Sequence, residues 1–100
     1  MVKHIVLWRL KDSALGRSKL ENAKLVKEKL EALRGIIPGL LAAEVGIDFG
    51  GSDQSYDVAL YAELESREAL ERYQSHPAHQ AVVSFIREVR TDRCVVDYET

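Results

Sequence analysis

Two of the chain's three histidines stand beside a tyrosine in one short run, Tyr73-Gln74-Ser75-His76-Pro77-Ala78-His79. A neutral imidazole can accept a proton, and a phenol can donate a hydrogen bond to an oxygen gaining negative charge. The pair therefore suits enolisation and related proton transfers, with His79 as general base and Tyr73 as donor. The proline sets their geometry. It pushes the preceding residue out of the helical region and itself favours the first position of a new helix. One helix is predicted to end near Tyr73 and another to begin at Pro77, with His76 at the joint. His79 then falls in the first turn, where the helix dipole disfavours imidazolium. His76 and His79 are three apart, a spacing that could also suit a metal. The proline, however, places them across a joint instead of on one regular face. Completing such a site would take His4 or Asp57, and no HExxH motif is present, so no metal is expected.

The elements that must position these groups follow from hydrophobic periodicity. Lys3 to Leu10 is a predicted strand with Lys3, Ile5, Leu7 and Arg9 on one face and His4, Val6, Trp8 and Leu10 on the other. Trp8 thus shares a face with His4 and can line the same pocket. Lys11 to Gly16 is expected to be a loop. Ser18 and Glu21 form a capping box for a helix whose apolar stripe runs Leu20, Ala23, Val26, Leu30, Leu33, Ile37. The charged remainder of that helix, including an i,i+4 pair of Lys27 with Glu31, is expected to face solvent. Gly35 and Pro38-Gly39 end it. Strands are predicted over Leu41–Ile47 and Ser55–Glu63, joined by the turn Phe49 to Asp53. Ser66 caps a short helix carrying Leu70 and Tyr73. A second helix after Pro77 carries Val82, Phe85, Ile86 and Val89. Arg93 to Tyr98 is the last strand, with Cys94, Val96 and Tyr98 opposed to Val95 and Asp97.

The order β-α-β-β-α-α-β predicts an α+β, ferredoxin-like fold: a four-stranded antiparallel sheet with helices on one face. One hundred residues suit a single domain over 1–100. Helices cover only one face of such a sheet, yet the first strand is apolar on both. An open apolar face on so small a chain implies burial against a second copy, and one self-complementary patch generates a two-fold dimer. The expected partner is therefore the chain itself, through the sheet face.

A net charge of −2 with mixed signs gives no electrostatic case for nucleic acid. No apolar run approaches the roughly 18 residues of a membrane span, and the start lacks the layout of a signal peptide. A cytoplasmic location is expected. The lone Cys94 cannot form an intrachain disulfide and reads as a small strand residue. Gly50-Gly51 is a turn, since no Gly-Lys-Ser/Thr follows it. No cofactor signature is present, and none is expected to be bound.

Lys3-His4-Ile5-Val6-Leu7-Trp8, Ile37-Pro38-Gly39-Leu40, Glu44-Val45-Gly46, Tyr56-Asp57-Val58-Ala59-Leu60 and Tyr73 to Gln80 together resemble the Dabb family of stress-responsive A/B barrel domains. The likeness runs over essentially the whole chain. It implies a ferredoxin-like fold and a dimer whose two sheets form a barrel. A plant member of that family, olivetolic acid cyclase, closes a linear polyketide with a tyrosine and histidine pair that matches Tyr73 and His79. A further pocket histidine of that enzyme matches His4, and another falls where this chain has Asp57. An aspartate cannot both donate and accept as a neutral imidazole does at neutral pH, so that activity does not carry over intact.

Three readings result. The first is a homodimer binding a small, largely apolar molecule, with Tyr73, His79, His4 and Asp57 as polar corner and Trp8 and His76 as further contacts. The second is an enzyme of the cyclase or isomerase kind using His79 as base and Tyr73 as donor. The third is a stress-associated structural protein without catalysis.

Overall fold

A computed structural model describes residues 1–100. The elements are β1 (Val2–Leu10), a two-residue hairpin β2 (Ser13–Ala14) and β3 (Arg17–Ser18), α1 (Lys19–Glu31), β4 (Leu40–Ile47), β5 (Val58–Leu64), α2 (Arg67–Ser75), α3 (Pro77–Val89) and β6 (Arg90–Glu99). The main sheet has the order β4-β5-β1-β6 with every neighbouring pair antiparallel. This is the expected α+β, ferredoxin-like layer.

Alternation in β1 and β5 builds the helix-facing side of the sheet. Val2, His4, Val6, Trp8 and Leu10 are buried, and the first four lie opposite Leu64, Ala62, Leu60 and Val58 in register. Helix α1 adds Ala23, Val26 and Leu30, and α3 adds Val82, Ile86 and Val89. The capping box forms as expected: the Glu21 amide donates to Ser18 Oγ at 3.2 Å and the Ser18 amide to Glu21 Oε1 at 3.0 Å.

Several details differ from the expectation, and β5 begins at Val58, three residues after the expected Ser55. Helix α1 stops at Glu31, although Leu33 and Ile37 remain buried in the turns that follow. The apolar stripe thus marks the core correctly but outlasts the helix, because Gly35 adopts φ +88° and turns the chain. Leu20, placed on the stripe, is 53% exposed. The expected loop after β1 contains the β2–β3 hairpin. In β4 the register shifts between Leu40 and Ala42, so Leu40 is buried and Leu41 turns outward. Strand β6 begins at Arg90, three residues early. At Gly39, with φ +85°, an added Cβ would lie 2.9 Å from Ala69 Cβ, so only glycine lets α2 approach the start of β4.

The two sheet edges differ. On β4, Lys27 Nζ donates to the Val45 carbonyl at 2.6 Å, while the Val45 amide donates to Glu31 Oε2 at 3.0 Å. The charged pair expected to face solvent instead ties α1 to the sheet, and it satisfies edge backbone groups that would otherwise recruit another strand. Strand β6 has no such cover: every residue from Thr91 to Glu99 is exposed. On the face away from the helices, Ile5 and Leu7 are half-buried beside Val96 and Cys94, both exposed.

Candidate functional site

Three elements each deliver one ring to a common corner. Strand β1 brings His4, the end of α2 brings Tyr73, and the first turn of α3 brings His79. The joint between the two helices forms as the proline requires. His76 is extended (φ −64°, ψ 134°), Pro77 opens α3, and the Ala78 amide donates to His76 Nδ1 at 3.0 Å. His76 is therefore the N-cap of α3, with its imidazole committed to the helix start.

His79 Nδ1 lies 3.2 Å from the Gln74 carbonyl oxygen. A carbonyl can only accept, so Nδ1 carries the proton and Nε2 keeps its lone pair. Burial shifts the equilibrium further toward the neutral ring. It is the main cause holding the His79 pKa below the ordinary value; the Gln74 hydrogen bond opposes it, and nearby His4, Arg93 and His76 reinforce it. The Tyr73 ring packs against His79 with centroids 4.3 Å apart and against the His4 edge at 6.0 Å. Tyr73 is 1% exposed, and burial alone pushes its phenol up to about 12, so it is protonated at neutral pH and has a proton to donate.

His4 is also enclosed, and its Nδ1 contacts Asp97 Oδ1 at 2.5 Å. The antiparallel register sets Asp97 directly across from His4 on the same face. A carboxylate on one ring nitrogen fixes the imidazole's orientation and leaves the other nitrogen to act elsewhere.

A cavity of about 250 Å³ opens between the sheet and α3. Val6, Trp8, Leu30, Leu60, Val83 and Ile86 form its apolar wall, His4 and His79 its polar corner, and Arg87, Arg90 and Arg93 the remainder. Trp8 lines it, as its shared face with His4 predicts. Tyr73 does not reach the wall; it backs the two histidines.

Asp57 does not join this corner. Its Oδ2 accepts the Leu10 amide at 2.8 Å and lies 3.6 Å from Lys19 Nζ. That places it at the far end of β1, about 20 Å along the strand from His4. The carboxylate beside the histidine cluster is Asp97, which sequence reasoning passed over. Its alternation with Val96 and Tyr98 puts it on the correct face, but only the β1–β6 register reveals its partner. The three arginines were equally unmarked: they recur every third residue, but across a helix end and a strand, so that spacing corresponds to no single face. No group of three or more histidine, cysteine, aspartate or glutamate side chains is arranged to hold a metal ion. No helix is long and apolar enough to cross a membrane.

The model of the stress responsive A/B barrel domain matches residues 2–100. The chain belongs to the Dabb family. An uncharacterized protein of Streptomyces coelicolor is 36% identical to this Dabb domain over 99 residues, covering 99% of each chain. Among solved structures, a protein of Bacteroides fragilis superposes with a TM-score of 0.87 at 34% identity, covering 99% of this chain and 95% of its own. A protein of Thermobifida fusca gives 0.84 at 29% identity, covering 99% and 90%. Both are described as dimeric with a ferredoxin-like fold. The Dabb fold inferred from the His-Pro-Ala-His run and the first strand is thus the fold of the chain.

Proposed function

We propose that this Dabb domain is one half of a homodimer that binds a small, largely apolar molecule in the cavity beside His4 and His79. The observation that carries the reading is the wall itself: six apolar side chains meet two histidines, each with one ring nitrogen held by a protein oxygen. At about 250 Å³ the space suits a compact ligand, a little below the usual range of ~300–1,000 Å³ for drug-sized ones. The second copy would cover the open sheet face. Support comes from half-buried Ile5 and Leu7 beside exposed Val96, and from the uncapped β6 edge.

The test is thermal. Acetophenone, an apolar carbonyl compound, should raise the melting temperature of the wild-type chain in a saturable way. Val83→Trp, which fills the cavity from its half-exposed rim, should remove that rise while the variant still folds. A rise that persists in Val83→Trp would place the ligand elsewhere and reject the reading.

A second reading, proton-transfer catalysis, is favoured by the free Nε2 of His79. In it, Nε2 takes a proton from carbon next to a carbonyl, giving imidazolium and an enolate. The proton then returns at another position, or the enolate attacks a second carbonyl. Tyr73, which does not reach the cavity, would act only through the His79 ring it packs against. Such a step is worth roughly 10²–10⁴-fold when well placed. Loss of hydrogen–deuterium exchange at the α-carbon of bound acetophenone in His79→Gln would support it; unchanged exchange would reject it.

A further inference from the structure

The cavity's third component has no part in the proposal above. Arg87 stands in the last turn of α3, Arg90 caps that helix and opens β6, and Arg93 follows along β6; all three line the same space. No aspartate or glutamate lines it with them. Arg9 and Arg67 each pair with a carboxylate, Asp92 and Glu99 respectively. None of the three cavity arginines has such a partner. The only hydrogen bond among them runs from Arg90 to the Thr91 carbonyl at 3.4 Å.

Three arginines on one cavity with no carboxylate on its wall place unbalanced positive charge there, in a chain whose overall charge is −2. A helix C-terminus attracts cations, which accounts for Arg87 and Arg90. It does not account for Arg93. That residue stands on a neighbouring strand, opposite Trp8 and on the same sheet face, so it enters the cavity independently of the helix. Beside these charges stand Trp8, the cross-strand neighbour of Arg93, with Val6 and Ile86. The lining is thus amphipathic, apolar side chains sharing one cavity with three arginines.

We infer that the cavity takes a small apolar carboxylate, its tail against Trp8, Val6 and Ile86 and its charged end on Arg87, Arg90 and Arg93. The planar fork of arginine matches a carboxylate with two parallel hydrogen bonds. The negative end of α3 lies beside the arginines and favours a monoanion over a multiply charged phosphate. The inference rests on the reading of the cavity as a ligand site and adds the ligand's charge.

Phenylacetate and phenylacetamide have nearly the same shape and differ in charge, so they separate the two claims. Titrated calorimetrically into the full chain, the acid should bind about tenfold more tightly than the amide, the size expected of a charge-assisted hydrogen bond. The preference should shrink as salt is added. In R87Q/R90Q/R93Q it should vanish while the amide binds as before, and Arg93→Gln alone should remove a measurable part. All three positions are exposed or half-exposed, so the variants should fold. Equal binding of acid and amide by the wild-type chain would overturn the carboxylate inference and leave the ligand site standing. Binding of neither would overturn both.

Discussion

Strand β1 meets an aspartate near each end, and the two carboxylates have opposite fates. Asp57 accepts the Leu10 amide and lies near Lys19, so its lone pairs serve the backbone and a surface cation. Asp97 contacts a buried histidine whose other ring nitrogen is left for the cavity side of the sheet. The first closes a strand end; the second orients a ring. What separates them is position along the sheet: Asp97 pairs with His4 inside the β1–β6 ladder, while Asp57 precedes β5 at the far end of β1.

The largest effect expected from this contrast is on stability. Asp57→Ala leaves the Leu10 amide without its acceptor and should cost about 1–3 kcal/mol, measured by urea denaturation, while binding of acetophenone per folded molecule is unchanged. Asp97→Asn keeps an acceptor near His4 and removes only a partly exposed charge, so its stability cost should stay below about 1 kcal/mol. Its acetophenone affinity should nevertheless fall, by severalfold, as the His4 ring loses its anchor. The reverse pattern, with binding tracking Asp57, would break the comparison.

Much of this arrangement was legible in the sequence. The alternation of β1 and β5 identifies the helix-facing side, and Pro77 fixes the joint that makes His76 a cap and sends His79 into the first turn of α3. Trp8 follows from sharing a face with His4. What was hidden depends on pairing between distant strands. Asp97 meets His4 only through the β1–β6 register, and Arg93 enters the cavity only because β6 lies beside β1. Asp57 was taken for the polar corner because it matched a histidine of a relative in sequence, although it sits at the wrong end of the strand. Lys27 and Glu31 looked like an ordinary surface pair because nothing local reports that a sheet edge will arrive beside them.

A smaller effect concerns pH. The His79 pKa is lowered in the folded chain, chiefly by burial, so just below the ordinary value of about 6.5 the unfolded chain binds more protons than the folded one. That contribution to stability is present above this window and is lost as the pH falls through it. Melting temperature should therefore drop more from pH 7.5 to 5 in the wild-type chain than in His79→Gln. An equal drop would show that burial of this imidazole carries no linkage.

The smallest expected effect is that of Tyr73→Phe. With burial alone setting the phenol's pKa, removing the hydroxyl should change stability by no more than about 0.5 kcal/mol. Loss of α-carbon exchange in this variant would show that Tyr73 acts through the His79 ring; unchanged exchange would make it a packing partner alone.

The most direct test of the ligand site is a titration of the chain with acetophenone, followed through the ring nitrogens of its histidines by NMR. The account predicts saturable shifts at His4 and His79, with His76 and the Leu10 amide unmoved. Shifts at Leu10 and not at the two cavity histidines, or no saturable shift at all, would contradict it.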